Sequence, residues 1–241
     1  MSTYTHLVSG GCSFTTCWNT TNWPVYLSDA LGTQLVDTAH SSQGNAQIAR
    51  QVVHAVSELL ESGVDSSDIF VGIVWSGLQR TDFFRTDIKN EDFSTDPDGE
   101  VASFPVVNMG TITDGCWLIL NPGFTGSFAE QYYHDYHTNL EQGAILSFEK
   151  MHWVQNFLEH NNIDYFMSTY TDEVFEHGLD NINVKSIQKL VNTDKFLPVR
   201  SYYRFAFDCG VGPEHPNKQQ SRKFVNNVIL PFIGKNYSHK L

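Results

Sequence analysis

The chain has 241 residues, of which 41% are hydrophobic and 13% aromatic, so it is long enough to bury a core and has a globular composition. Its formal net charge of −12 argues against a nucleic-acid partner, which would require clustered basic residues, and against a membrane partner. Four cysteines in no zinc-binding spacing, with no signal-peptide or membrane-spanning pattern, predict free thiols and a cytoplasmic location.

Strand and helix patterns alternate through the first part of the chain. Tyr4–Ser9 predicts a short buried strand that ends at two glycines, and residues 35–38 predict a second strand. Ala46–Glu61 carries one apolar stripe and predicts a helix. The near-continuous apolar run Ile69–Trp75 is typical of a central parallel strand that is covered on both faces.

Residues from about 80 to 136 interrupt this alternation. The letters DPDG at 96–99 form a turn pattern, and residues 101–109 and 116–120 have strand patterns. Asp114-Gly115 is a hairpin signal close to them. We therefore predict that this stretch is a β-rich cap inserted into a single domain.

The alternation resumes in the C-terminal half. A helix is predicted over 143–160, a strand over 165–170, an irregular aromatic stretch over 172–208 and a final helix over 218–232. Pro231 is expected to kink this helix or end it early. The alternating elements predict a three-layer α/β/α sandwich with a flavodoxin-like parallel sheet, whose ligands bind at the carboxyl ends of the strands.

Several polar residues follow predicted strands or begin helices. Ser13 lies on the bend after the first strand, where a hydroxyl is exposed and backbone N–H groups point at a reacting carbonyl, so it is a candidate nucleophile. His215, which Pro216 holds before the last helix, is a candidate base. Gly44 and Asn45 at a helix start are candidate oxyanion donors. Helix capping or an exposed loop would explain each residue alone; their combination carries the hypothesis.

These residues, taken together, resemble the SGNH (GDSL-type) hydrolase family and occur in its order. The letters GCSFT at 11–15 resemble the family's GDSxT block, which supplies the serine nucleophile at Ser13. Residues 37–45 match a D-x-A-x-x-x-x-G-N pattern that supplies the oxyanion glycine at Gly44. His215 corresponds to the family's histidine before the final helix.

The resemblance extends to a divergent branch common in phage and marine-microbial sequences. There, a Trp-Pro pair and a leucine follow the first block, as Trp23-Pro24 and Leu27 do here. The resemblance covers most of the chain outside 80–136. It implies cofactor-free hydrolysis of a carboxylic ester, such as a small ester or an O-acetyl group on a carbohydrate, with Ser13 attacking the acyl carbon and His215 accepting the proton.

The sequence departs from the family at three places. Cys12 stands where the family has Asp, residues 75–80 lack the asparagine of the family's third block, and Gly212 stands where the family has the triad aspartate. Neighbouring residues are candidates to replace the missing groups: Asn45, Ser76, Gln79 and Arg80 for the oxyanion donor, and Glu214 and Asp208 for the orienting acid.

Other functions stay open. The missing groups favour a degenerate domain that binds a glycan or a protein without turnover, and an acyltransferase would use the same nucleophile. Cys12 could replace Ser13 as nucleophile. His134 and His137 have a metal-ligand spacing but no third ligand, so no metal site is predicted. A group of aromatic residues either packs the cap or stacks on sugars: Trp117, Tyr132, Tyr133 and Tyr136.

Overall fold

The computed structural model describes residues 4–16, 22–85, 102–104, 116–120, 132–135, 140–176, 180–199, 201–209 and 215–240. Four of its strands form one parallel sheet in the order β2-β1-β3-β7: β1 (His6–Gly11), β2 (Gln34–Asp37), β3 (Ile69–Trp75) and β7 (Asp164–Thr169). This is the strand order of a flavodoxin-like sheet.

A second, antiparallel sheet has the order β4-β6-β5: β4 (Thr81–Arg85), β5 (Ala102–Phe104) and β6 (Cys116–Leu120). All three strands lie in the predicted β-rich insertion. The turn at 96–99, the hairpin signal at 114–115 and most of the strand predicted over 101–109 fall outside the described residues. That this region is an inserted cap stays a prediction.

Helices connect the strands of the parallel sheet and close the chain. Their bounds are α1 (Trp23–Leu31), α2 (Asn45–Glu61), α3 (Leu140–His160), α4 (Glu173–Glu176), α5 (Ile182–Gln188), α6 (Tyr202–Asp208), α7 (Lys218–Phe224) and α8 (Leu230–Asn236). A π-helical turn, Val225–Ile229, joins α7 to α8, and 3₁₀ turns occupy Ser66–Asp68, Thr193–Lys195 and Ser238–Lys240. Along the described ranges, no helix has both the length and the apolar character needed to cross a membrane.

Both faces of the parallel sheet are covered. All seven residues of β3 are buried. Val71 and Ile73 belong to a core with α2 and α3 on one face, whereas Phe70 and Val74 belong to a core with α1, α7 and α8 on the other. Because alternate residues of a strand point to opposite faces, one continuous apolar run contributes side chains to both cores. The predicted three-layer α/β/α class is therefore confirmed.

The structure contains helices that the sequence patterns did not predict. Asn22 caps α1 by accepting a hydrogen bond from the Trp23 N–H at 2.8 Å, Pro24 lies in its first turn, and Gly32 ends it with a left-handed φ of 70°. The stretch 172–208, predicted to be irregular, contains α4, α5 and α6, none longer than seven residues. So short a helix shows too few turns to display a periodic pattern.

The last helix runs past the proline that was expected to kink or end it. Pro231 lies at the start of α8, directly after the π-helical turn, and α8 continues to Asn236. Proline cannot donate the backbone hydrogen bond of a regular helix interior. The π-helical turn changes the pairing of the backbone groups just before the proline, which allows the helix to continue.

Candidate active site

The two predicted catalytic side chains contact each other. After β1 the chain makes a tight turn, in which the N–H groups of Thr15 and Thr16 both donate to the carbonyl of Cys12, at 2.8 and 3.0 Å. This turn presents the half-buried Ser13 at the carboxyl end of the sheet. Its Oγ lies 2.7 Å from Nε2 of His215, which is 202 positions away along the chain. That separation is a hydrogen-bond distance.

Close packing of the turn accounts for its sequence. A Cβ atom on Gly11 would lie 2.7 Å from Cβ of Thr15 and 3.0 Å from the carbonyl oxygen of Val74, so only glycine fits there. The Cys12 side chain is fully buried in the core on the α1 face, whereas Ser13 contacts His215. Adjacent side chains thus point apart, and the geometry favours Ser13 over Cys12 as the nucleophile. Cys12 and Cys209 are free thiols.

Phe14 packs beside the imidazole. Its ring centroid lies 4.6 Å from that of His215, and only 6% of the residue is exposed. Three tyrosine rings surround Phe14, with centroids at 5.0 Å for Tyr170, 6.3 Å for Tyr202 and 6.1 Å for Tyr203. Because Phe14 follows the nucleophile directly, one buried ring positions both the turn and the base.

The start of α7 fixes the chain next to His215. Pro216 is buried, and Asn217 caps α7 through a reciprocal capping box with Gln220. In this box, the Gln220 N–H donates to Asn217 Oδ1 at 3.1 Å, and the Asn217 N–H donates to Gln220 Oε1 at 2.7 Å. The exposed imidazole therefore extends from an anchored backbone.

Of the two candidates for the orienting acid, only Asp208 lies in the described residues. Asp208 lies 3.4 Å from Arg204, one turn away in α6, and both side chains are more than half exposed. Glu214 and Gly212 lie in a segment that the structure does not describe. The assignment of an orienting acid stays a prediction.

The N–H of Gly44, a predicted oxyanion donor, has an acceptor within the protein. It donates to Asp82 Oδ1 at 3.2 Å, and the Gln47 N–H donates to Asp82 Oδ2 at 3.0 Å. Burial raises the pKa of Asp82, while Arg50, 3.6 Å away, and the two N–H groups oppose that rise. The start of α2 binds an anionic group, as such helix ends do, but the group is a side chain of β4. Sequence reasoning missed Asp82.

Asn45 and Ser76, the other predicted oxyanion residues, bind each other. The Ser76 N–H donates to Asn45 Oδ1 at 2.7 Å, and Asn45 Nδ2 donates to the Ser76 carbonyl at 3.2 Å and to Ser147 Oγ at 2.8 Å. Both residues are buried. The amide of Asn45 thus ties the loop after β3 to α2 and α3. Ser76 Oγ accepts a hydrogen bond from Arg80 Nη1 at 2.8 Å.

The substitution Asn45→Asp should destabilise the fold. It replaces the Nδ2 donor by an oxygen that faces the Ser76 carbonyl in a buried position, so we expect the free energy of unfolding to fall by about 2 kcal/mol. Urea denaturation followed by circular dichroism measures the change. Asn156→Asp on the exposed side of α3 is the matched control, for which a change below about 0.5 kcal/mol is expected. Equal effects of the two substitutions would contradict the role of Asn45.

One backbone N–H next to the catalytic pair keeps its hydrogen for an oxyanion. The N–H of Ser13 has no acceptor among the described residues, and it lies on the turn that presents the hydroxyl. Arg80, a sequence-predicted candidate donor, uses Nη1 for Ser76 and retains further N–H groups. The rings of Tyr170 and Phe14 separate it from the catalytic pair, so it is not assigned to the oxyanion. Gln79 is exposed, and its carbonyl accepts a hydrogen bond from the Tyr133 hydroxyl at 2.8 Å.

No metal site is formed by the residues that the structure describes, since no three His, Cys, Asp or Glu side chains come together there. His134 Nδ1 lies 2.7 Å from Asp135 Oδ1. The structure does not describe His137, Tyr136 or the side chain of Trp117. Metal binding by the two histidines and sugar stacking by the aromatic residues therefore stay untested.

Comparisons with known proteins show a distant likeness in fold. No protein-family model matches the chain, and no curated protein sequence matches it significantly. Among solved structures, the chain is similar to the crystal structure of a member of the lipolytic protein G-D-S-L family from Veillonella parvula DSM 2008. The match covers 97% of this chain and 98% of that chain, with a TM-score of 0.43 and 7% identity. At this level of likeness, function has to be inferred from the chain's own side chains.

Proposed function

We propose that the protein hydrolyses a carboxylic ester, with Ser13 as the nucleophile and His215 as the general base. The contact of 2.7 Å between Ser13 Oγ and His215 Nε2 carries this proposal. A serine hydroxyl attacks an acyl carbon only when a neighbouring base takes its proton, and this geometry lets the imidazole do so. The position of the pair at the carboxyl end of a parallel sheet, where ligands of such folds bind, supports the same function.

The reaction follows the usual two stages of a serine esterase. Ser13 Oγ attacks the acyl carbon as its proton passes to His215 Nε2, and the imidazolium then protonates the departing alcohol. Water next attacks the acyl-enzyme, with His215 again accepting the proton, and releases the acid. No cofactor enters these steps. Small acyl esters and O-acetylated carbohydrates are the proposed substrates.

A reduced oxyanion hole is part of the proposal. The Ser13 N–H is available for the developing negative charge, but the Gly44 N–H already donates to Asp82. Loss of one oxyanion donor typically lowers turnover by about 10²- to 10³-fold. We therefore expect slow hydrolysis of activated esters compared with an enzyme that has a complete set of donors.

Covalent labelling tests the nucleophile. A fluorophosphonate probe is expected to add one label to the wild-type protein, as read by intact mass, because an activated serine attacks the phosphorus centre. Ser13→Ala should abolish the adduct. Ser186→Ala, at an exposed serine of α5, is the matched control and should leave the labelling unchanged. No adduct on the wild type over a broad pH range, or an adduct that survives Ser13→Ala, would refute the mechanism.

The second candidate function is binding without turnover, to a glycan or a protein. Two observations favour it: Asp82 occupies the Gly44 N–H, and Ser76 and Ser147 occupy the amide of Asn45. Failure of the wild type to form the covalent adduct would make this the preferred function. The cytoplasmic location and the phage and marine-microbial branch stay predictions.

A further inference from the structure

Arg80 places a positive charge in the loop after β3, next to the candidate active site. Its Nη1 donates to Ser76 Oγ at 2.8 Å, and its guanidinium carbon lies 5.1 Å from the centroid of the Tyr170 ring. The side chain is half-buried. A hydroxyl and an aromatic face hold a guanidinium in one place without neutralising its charge. Arg80 is therefore a fixed cation.

Arg80 has no carboxylate partner within the described part of the chain, although the chain has 27 acidic and 15 basic residues. Arg50 and Arg204, by contrast, lie 3.6 and 3.4 Å from the carboxylates of Asp82 and Asp208. A guanidinium forms its strongest hydrogen bonds with a carboxylate or a phosphate, which it can bind with two N–H groups. A ligand can supply the anionic group that the described residues do not.

Aromatic contacts connect Arg80 to the catalytic pair. The Tyr170 ring lies so close to Gly77 that a Cβ atom on this glycine would be 3.1 Å from the ring. The same ring also contacts Phe14, with the two ring centroids 5.0 Å apart. Phe14 in turn contacts His215 at 4.6 Å. Two rings thus separate Arg80 from the imidazole. An anionic group bound by Arg80 belongs to a part of the substrate several bonds away from the scissile carbonyl.

A second tyrosine lies close to the same loop. Tyr133, in a helical turn at 132–135, donates to the carbonyl of Gln79 at 2.8 Å. The positive charge of Arg80 acts on both phenols, since it opposes the rise in the pKa of Tyr133 and of Tyr170 that burial causes. Arg80 therefore lies against the ring of Tyr170, and a second tyrosine is bonded to the neighbouring residue, Gln79.

We propose that Arg80 determines specificity by selecting esters whose alcohol part carries a carboxylate. This inference rests on the proposed esterase function and names its substrate class: a short acyl ester of an acidic alcohol. The carboxylate pairs with the remaining N–H groups of Arg80 while the acyl carbon meets Ser13 Oγ. Water supplies the hydroxyl group of the released acid and, through His215, a proton ends on the released alcohol, so the reaction balances without a further reactant.

Two isosteric esters provide the test. We expect the wild type to hydrolyse 4-acetoxybenzoate with a higher kcat/KM than its neutral analogue 4-acetoxybenzamide. Arg80→Gln should lower kcat/KM for the carboxylate about 10-fold or more, the usual size of a lost charged hydrogen bond, and change that for the amide less than about 2-fold. Arg80→Lys, which keeps the charge, should restore part of the preference. Arg222→Gln, at an arginine 4.8 Å over the Tyr26 ring, removes the same charge and should leave the preference unchanged.

A binding measurement separates this inference from the proposed function. Calorimetry on Ser13→Ala, with and without Arg80→Gln, gives the affinity for both esters without turnover. Weaker binding of the carboxylate alone after Arg80→Gln supports the anion site even if the wild type proves inactive. An equal loss for both esters, or an unchanged ratio in both experiments, overturns the role of Arg80 while leaving the esterase function to the labelling test.

Discussion

The substitution His215→Gln is expected to lower kcat/KM for an acyl ester by about 10³-fold or more. His215 Nε2 lies 2.7 Å from Ser13 Oγ, and glutamine keeps a polar side chain of similar size that cannot accept the proton. Fluorophosphonate labelling should slow by a comparable factor, because it depends on the same activated hydroxyl. Initial rates of 4-nitrophenyl acetate hydrolysis, together with a time course of labelling, measure both effects.

Two controls make the result specific to this histidine. His239→Gln changes an exposed histidine near the end of the described chain and should leave both rates unaltered. The double variant Ser13→Ala and His215→Gln should be no slower than either single variant, because groups that act as one unit do not contribute additively. A His215→Gln protein that keeps more than a tenth of the wild-type rate would show that another group takes the proton.

Phe14→Ala is expected to lower both the stability and the activity of the folded protein. Deletion of a buried phenylalanine ring typically costs about 3–5 kcal/mol, and Phe14 is only 6% exposed among three tyrosine rings. The same substitution removes the ring whose centroid lies 4.6 Å from that of His215. Because the imidazole then has no packing contact on that side to hold its orientation towards Ser13, kcat should fall. Thermal unfolding gives the first effect, and ester hydrolysis well below the midpoint gives the second.

Phe166→Ala is the matched control for this experiment. Phe166 is fully buried against Trp23 and Phe70, with ring centroids at 5.5 and 6.0 Å, and its contacts do not include the catalytic pair. We expect Phe166→Ala to lose about as much stability as Phe14→Ala. At temperatures where the Phe166→Ala variant is folded, its specific activity should stay close to that of the wild type. If both variants lose activity in proportion to their stability, Phe14 has no separate role in positioning His215.

The parts of the fold that could be predicted are those that burial alone determines. The bounds of β3 agree with the prediction at both ends, because a strand buried on both faces is a continuous apolar run. The start of α2 was placed one residue late and that of α3 three residues late, since the first turn of a helix shows little periodicity. The helix α1 was missed, although Asn22, Pro24 and Gly32 are ordinary signals of a helix start and end.

The site could be predicted in part, for a reason that lies in how its hydrogen bonds are formed. Ser13 and His215 each lie in a short sequence pattern from which a catalytic role can be predicted, and the structure places their side chains in contact. The partner of Gly44 could not be found in this way, because Asp82 is 38 positions away in a strand of the second sheet. A local sequence pattern does not predict which distant carboxylate will accept the hydrogen bonds of a helix N-terminus. Arg80 was one of four candidate donors, and only its contacts distinguish it.

The π-helical turn before Pro231 has a consequence for how insertions and deletions act on this chain. Each residue of an α-helix advances the side chains by about 100° around the axis, and a π-helical turn holds one residue more than an α-helical turn. Removal of one residue from 225–229 would therefore restore an ordinary α-helical turn and leave Phe232 and Ile233, beyond it, facing the same core. The same deletion would place Pro231 in a regular helix interior, where it lacks the backbone donor and its ring meets a carbonyl one turn back. A deletion in the regular part of α7 would instead turn Phe232 and Ile233 by about 100° away from that core.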